Sequence, residues 1–286
     1  MTAPPAFSPT GSSQQCTTTF QVYPLEFYEK LRVHHASENV KKIYLIRHAE
    51  GTHNLPDASY SCTSQLDARL TERGIQQCRS VAQRYERLLQ TDKDVAVITS
   101  PLTRCVQTAL YCFPTLAEDE SDEIPFLALE SLRETVNYQA NKRRPISQIA
   151  SDFSRVDFSY CQQDKDELWN HYQERLGNDN QWTMPRESAE LYRVAERGRK
   201  ALNELFSFSE YSTMVVCSHS AFFRCILNWG QDGGVPWLPP QTLDETFDPT
   251  NHISLLDFSA CPGDLEQSIR KTFENTELKS FCLVRP

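Results

Sequence analysis

Ile43-Tyr44-Leu45-Ile46-Arg47-His48 is the stretch on which the reading of this chain turns. Four apolar, β-rich residues in a row predict a buried strand, and the run ends directly in a guanidinium and an imidazole. The same design recurs twice further along. Val95 to Thr99 leads into Ser100-Pro101-Leu102-Thr103-Arg104, and Met214-Val215-Val216-Cys217 leads into Ser218-His219-Ser220. Helical patterns lie between these runs. Thr71 reads as the N-cap of a helix whose stripe is Ile75, Cys78, Ala82, Tyr85 and Leu89. Ser100 as N-cap, with Pro101 at the first helical position, opens a second helix carrying Val106, Ala109 and Leu110 inward. Glu187 to Phe208 is amphipathic, with Leu191, Val194, Ala195, Leu202, Leu205 and Phe206 on one face, and Ala221 to Trp229 follows the third strand. Strands alternating with helices predict a three-layer α/β/α sandwich around a mostly parallel sheet.

The remaining segments complete one domain over 21–286, preceded by a flexible tail at 1–20 rich in Pro, Ser and Thr. A short helix is expected around Leu25 to Val33, a loop over Asn54 to Asp67 and a solvated acidic loop over Glu118 to Glu123. A further strand is expected within Ile124 to Leu129. The stretch from Thr135 to Trp182 is weakly periodic and reads as short helices and loops, a cap insertion spanning roughly 135–185. Its aromatic residues suit either a hydrophobic cover over a ligand or ordinary core. His252 to Phe258 reads as the last strand before a polar C-terminal segment.

Composition excludes several classes. The chain has 286 residues, 39% of them hydrophobic, and a net charge of −9. An acidic balance argues against nucleic-acid and membrane-surface binding, which rest on a basic face. The ten cysteines are scattered without a CxxC pair, several of them in apolar periodic segments where a free thiol behaves as a small hydrophobe. No basic-then-apolar leader and no membrane-length apolar run is visible. A reduced, soluble, cytoplasmic protein is expected, with the nucleus also open to it.

In open α/β sheets ligands bind beyond the carboxyl ends of the strands. If the three strands are parallel neighbours, Arg47, His48, Arg104 and His219 converge on one spot of an otherwise acidic protein. Such an island suits a phosphate: guanidiniums offer bidentate forks to nonbridging oxygens, one imidazole can attack phosphorus, and the other can donate as charge builds. A lone histidine after a strand is usually a packing residue, but three junctions of this kind together point to a site. No cofactor and no metal are needed for this chemistry, and the expected partner is a small-molecule phosphate ester.

These residues fall in recognisable motifs. Arg47-His48-Ala49-Glu50 with Asn54 resembles the RHGExxxN signature of the histidine phosphatase (phosphoglycerate mutase-like) superfamily. Leu70-Thr71-Glu72-Arg73-Gly74 resembles its LTxxG element, and Ser100 to Ala109 is similar to its SPLxRxxQTA element. Leu132-Arg133-Glu134 resembles its LxE segment, and Ser218-His219-Ser220 stands where the GHG-type second histidine falls. The fungal and plant phosphoglycerate mutase-like proteins share the Asp67-Ala68-Arg69-Leu70-Thr71 run and the SHS ending. The resemblance implies a metal-independent phosphomonoesterase working through a phosphohistidine. His48 would be the nucleophile, Glu134 the proton donor and then the base for water, and Arg47, Asn54, Arg104 and His219 the phosphate ligands. Glu130 and Asp67 rank behind Glu134 as the acid.

Departures from the pattern matter. Ala49 and Ser218 replace glycines beside the two histidines, adding bulk where backbone approaches a ligand. The stretch after Glu134 does not match the mutase RHYGxLxGxNK segment, so hydrolysis is expected ahead of mutase activity. A binding module or a pocket reused for non-phosphoryl chemistry stays open. Lys142, Arg143 and Arg144 suit a second anionic contact or a solvated basic turn. His53 suits the site mouth or the surface, and Ser220 is a further candidate contact. Burial would raise the pKa of Glu134 and nearby arginine would lower it; a pH optimum from mildly acidic to neutral is expected.

Overall fold

The computed structural model describes residues 19–58, 63–90, 92, 94–114, 124–176, 186–231 and 254–286. Eight strands form one sheet: β1 (Phe20–Tyr23), β2 (Val40–Arg47), β3 (Val95–Thr99), β4 (Phe126–Ala128), β5 (Val156–Asp157), β6 (Thr213–Ser218), β7 (Leu256–Asp257) and β8 (Leu278–Val284). Their order is β5-β4-β3-β6-β2-β8-β1-β7. Every neighbouring pair is parallel except the two made by β8, which runs antiparallel to both β2 and β1.

Helices cover both faces, as the sequence predicts, and a short helix, α1 (Tyr28–His34), precedes β2. Alternate residues of each central strand point to opposite sides. Tyr44, Ile46, Val97, Val215 and Cys217 face α2 (Glu72–Gln90) and α3 (Thr103–Cys112), packing on Cys78, Val81, Val106 and Ala109. Ile43, Leu45, Ile98, Met214 and Val216 face α6 (Leu191–Ser207) and α7 (Ser220–Asn228), packing on Val194, Leu205, Phe222 and Phe223. Burial on both sides is why these strands read as continuous apolar runs rather than alternating ones.

Thr71 caps α2 as expected, its Oγ1 accepting the Gly74 N–H at 3.0 Å. The start of α3 differs. It begins at Thr103, not at Pro101, and Leu102 is the extended N-cap. Asp67 supplies the missing cap from a distant loop, its carboxylate accepting the Thr103 N–H at 2.8 Å and the Thr103 hydroxyl at 2.5 Å. A carboxylate suits a helix start better than the Ser100 hydroxyl, which is engaged elsewhere. The 187–208 pattern divides into a turn at Glu187–Ala189 and α6 proper.

Three strands were not legible, among them β5, which lies in the stretch read as short helices and loops. Phe20 opens β1 in the sheet, whereas residues 1–20 read as tail; 1–18 lie outside the described residues. The C-terminal segment expected to be polar contains β8, which sits next to β2 near the middle of the sheet. Lys279 interrupts its apolar pattern, yet the side chain is buried. Its ammonium donates to the Lys271 carbonyl at 2.6 Å and lies 3.9 Å from the Phe273 ring centroid, so the charge keeps partners inside.

The 135–185 region contributes α4 (Ile146–Asp152), the sheet-edge strand β5 and α5 (Glu167–Leu176). Trp169 and Tyr172 pack on Val136 in a small core of their own. The acidic stretch at 118–123, Cys16, Cys62, Trp182 and His252 lie outside the described residues. The eight described cysteines are unpaired thiols. Among the described residues no helix is long and apolar enough to cross a membrane.

Phe281 of β8 is 2% exposed in the face shared with α6 and α7. Phe281→Ala is expected to lower stability by about 3–5 kcal/mol through the cavity it leaves. Urea denaturation should show a lower midpoint at unchanged slope.

Candidate active site

Parallel pairing builds the site. Register matches Arg47 to Ser218 and Thr99 to Cys217, so the carboxyl ends of β3, β6 and β2 lie side by side. The chain continues in register beyond the strands: His48 N–H donates to the Ser218 carbonyl at 3.0 Å, and Ser100 N–H to the Cys217 carbonyl at 2.9 Å.

His48 is buried, and its Nδ1 lies 2.8 Å from the Ala49 carbonyl oxygen. A carbonyl only accepts, so Nδ1 carries the proton in that bond and Nε2 keeps its lone pair. Burial, then the charges of Arg104 and Arg47, hold the pKa of His48 well below the ordinary imidazole value. The ring is therefore neutral over the physiological range. Its backbone is pinned as well, since Asn275 Nδ2 donates to the His48 carbonyl at 2.9 Å.

Arg47 donates Nη1 to the Phe273 carbonyl at 2.7 Å. The fully buried Arg104 donates Nη1 to the Ala140 carbonyl at 2.7 Å and Nη2 to Asn141 Oδ1 at 3.3 Å. In both side chains Nε is buried without a partner among the described residues. Buried donors of this kind are costly unless something accepts from them. Both guanidiniums line a cavity of about 270 Å³ together with His48, His53, Asn54, Glu134 and Ser220. Asn54 also fixes its own turn, its Oδ1 accepting the Gly51 N–H at 3.0 Å.

Glu134 enters the cavity on a short connection after the turn Glu130–Leu132. Its carboxylate accepts the Thr135 and Phe222 N–H groups at 2.9 Å each and the Ala221 N–H at 3.4 Å, the latter two from the first turn of α7. Burial raises its pKa, and those backbone bonds and Arg104 oppose the rise without cancelling it. The backbone around it is gripped from both sides. Arg197 of α6 donates to the carbonyls of Arg133 at 2.5 Å and Ser131 at 3.2 Å, while Glu187 accepts the Val136 N–H at 2.7 Å. Arg197 and Glu187 are themselves paired at 2.9 Å.

The other predicted residues fall elsewhere. His219 is fully buried beneath His48, ring centroids 5.2 Å apart and edge-on, with Nε2 at 2.9 Å from Ser100 Oγ. It does not line the cavity, so the structure gives it contact with His48 rather than with the open space. Arg143 is turned away, bonding Glu130 and the carbonyls of Gln163, Asp164 and Lys165. Arg144 pairs with Asp67 and Asp152. These two arginines bind the 135–185 segment to the rest of the fold and offer no contact to the cavity. Lys142 lies over the Trp169 ring. Glu130 and Asp67 are spent on arginines and on the cap of α3, which leaves Glu134 as the carboxylate in the cavity.

Ala49 and Ser218 do not crowd the space. The Ala49 methyl joins the core under α2 and α3, and the Ser218 hydroxyl donates to the Leu132 carbonyl at 2.7 Å, tying β6 to the turn before Glu134. Sequence reasoning missed Asn137, Tyr138, Asn141, Arg224 and Thr272, which also line the cavity. Arg224 stands one turn beyond Ser220 on α7, a spacing that places both on one helix face. Thr272 had no signal, because its place depends on β8.

The chain belongs to the histidine phosphatase superfamily (branch 1), whose sequence pattern matches residues 43–154 and 129–238. It is 30% identical over 274 residues to a phosphoglycerate mutase-like protein of Arabidopsis thaliana, covering 85% of this chain and 84% of that one. It is 27% identical over 214 residues to a probable phosphoglycerate mutase of Arthroderma benhamiae, covering 68% and 60%. The crystal structure of the ecdysone phosphate phosphatase of Bombix mori, in complex with tungstate, is similar at a TM-score of 0.46 and 15% identity, over 86% of this chain and 92% of that one.

Arg133, fully buried beside Glu134, is held by Asp166 at 2.5 and 2.9 Å. Asp166→Asn is expected to cost about 3 kcal/mol, because it leaves that guanidinium only Glu130, a carboxylate it shares with Arg143. Burial pushes the Asp166 carboxyl up, but the Arg133 charge and its hydrogen bonds prevail and hold the pKa below the ordinary value. Its stabilisation is therefore complete above about pH 4 and lost as pH falls through the lower folded value. Denaturation of wild type and variant should differ most above pH 4 and converge in acid.

Proposed function

We propose that this chain is a phosphomonoesterase acting on a small organic phosphate through a phosphohistidine on His48. The observation that carries the reading is the tautomer: Nδ1–H is committed to the Ala49 carbonyl, so a neutral Nε2 is left beside two guanidiniums whose buried Nε donors are unpaired among the described residues.

In the first step Nε2 attacks phosphorus and the bond to the ester oxygen breaks. Protonated Glu134 gives its proton to the departing alcohol. Arg47, Arg104 and Asn54 hold the nonbridging oxygens, which supplies the positioning and charge stabilisation that phosphoryl transfer chiefly needs. In the second step the Glu134 carboxylate takes a proton from water, the oxygen attacks phosphorus, the P–N bond breaks, and inorganic phosphate leaves with His48 restored. His219, packed edge-on beneath His48 and tied to Ser100, keeps the nucleophilic ring in this orientation.

The raised pKa of Glu134 supports its acid role, because more of the protonated form persists as pH rises. The names of the relatives favour a mutase as the second reading. Incubation with 3-phosphoglycerate and 2,3-bisphosphoglycerate separates the two: hydrolysis releases inorganic phosphate, whereas isomer formation without phosphate release would establish the mutase.

Rapid-quench assays with p-nitrophenyl phosphate should trap an acid-labile phosphoenzyme in wild type and none in His48→Ala. Equal turnover by the two proteins would overturn the mechanism. Glu134→Gln should slow phosphoenzyme formation by about 10²–10⁴-fold. In wild type the rate should fall on the alkaline side as Glu134 ionises, with a midpoint above the ordinary carboxylate value of about 4.3. No acid limb should occur near pH 6.5, because His48 stays neutral well below it.

A further inference from the structure

His53 is an imidazole that the mechanism above does not use. It sits on the turn Thr52–Asn54, which the Asn54–Gly51 bonds hold closed. Its side chain is 5% exposed and lines the same cavity as Arg47, His48 and Arg104. The ring centroid is 5.4 Å from that of His48, with the planes at 47°.

Room for this ring comes from Gly51. A Cβ on Gly51 would lie 2.7 Å from His53 Nδ1 and 2.9 Å from Cε1, closer than side-chain contacts allow. The ring is folded back onto bare backbone, a placement that any other residue at 51 would obstruct. Charge does not explain why the ring is there. Burial, then Arg104 and Arg47, press its pKa down to about 2, so it sits as a neutral group beside two cations. Beside a bound phosphoryl group the same position becomes favourable, since a neutral N–H donor adds a hydrogen bond without adding a third cation next to the nucleophile.

We propose that His53 is a third imidazole of the phosphoryl site, donating a ring N–H to a nonbridging oxygen alongside Arg47 and Arg104. This rests on the phosphatase reading.

The test compares wild type, His53→Ala, His53→Asn, Gly51→Ala and the Gly51→Ala/His53→Ala double variant. The readouts are kcat/KM for p-nitrophenyl phosphate, inhibition by orthovanadate and thermal midpoint. His53→Ala should lower kcat/KM by about 10–100-fold, the range of one donor to a reacting oxyanion at its lower end, and weaken vanadate inhibition alongside it. His53→Asn keeps a donor and should recover part of both. Gly51→Ala should reproduce the loss by displacing the ring. The double variant should be no worse than His53→Ala, because both act through one group. Wild-type turnover and vanadate inhibition in His53→Ala would overturn the proposal, as would losses that multiply in the double variant. A wild type that neither turns over phosphate esters nor binds vanadate defeats the phosphatase reading itself, an outcome visible before any variant is made.

Discussion

Three strands of one hand, β3, β6 and β2, lie side by side, and the site depends on that pairing. A strand end by itself delivers one or two side chains to a point in space. Parallel neighbours in register deliver several to the same point, because strands stand about 4.8 Å apart and their carboxyl ends are level. The Arg47–Ser218 and Thr99–Cys217 matches set that level here. A slip of one residue in β2 would turn Arg47 and His48 to opposite faces. Burial on both sides of the sheet prevents the slip, since it would also drive Ile46 and Leu45 into the wrong layers. The chemistry of the site is thus protected by the packing of residues that take no part in it.

The second constraint is electrostatic. Arg104 and Arg133 are fully buried, as is His219, with His48 and His53 nearly so, in a chain whose net charge is −9. Two solutions are visible. Arg133 is neutralised by Asp166 and Glu130, as a structural cation must be when it leaves water. Arg104 has no carboxylate within ion-pair distance among the described residues and keeps only a carbonyl, an amide oxygen and an unpaired Nε. Two arginines of equal burial in one neighbourhood therefore differ in what completes them. One is completed by the protein, and the other keeps an open donor at the wall of the cavity.

Legibility followed the same division between local and distant causes. Ile43–Ile46, Val95–Thr99 and Met214–Cys217 were readable because a strand buried on both faces leaves a continuous apolar mark, and their following residues came with them. Glu134 was readable only through its motif, because the groups that place it, Arg197 and Glu187, lie on other elements. Arg143 and Arg144 read equally as an anion contact or a solvated turn for a plain reason: a basic run shows its charge but not its partners. Glu130, Asp67 and Asp152 reach them only after folding. The depth of His53 was equally hidden, being set by the missing side chain of Gly51. Strand β8 failed the apolar test because of Lys279, whose burial is made tolerable by the Lys271 carbonyl and the Phe273 ring.

That last strand joins fold and site more closely than its position in the chain suggests. The turn before β8 accepts Arg47 Nη1 and the Ser220 hydroxyl at the Phe273 carbonyl, places Thr272 in the cavity wall, and sends Asn275 to the His48 carbonyl. Thr276 holds that turn at a φ of 60°, a left-handed conformation a β-branched residue adopts only when its surroundings impose it. Those surroundings include the site itself, since Thr276 N–H donates to the Arg47 carbonyl at 3.1 Å. The family pattern ends at residue 238, yet the geometry of its first motif is fixed by residues 272–276. Arg47 and His48 are held in their orientation by the far end of the chain lying against them, so the turn that leads the last strand into the sheet also completes the wall of the site.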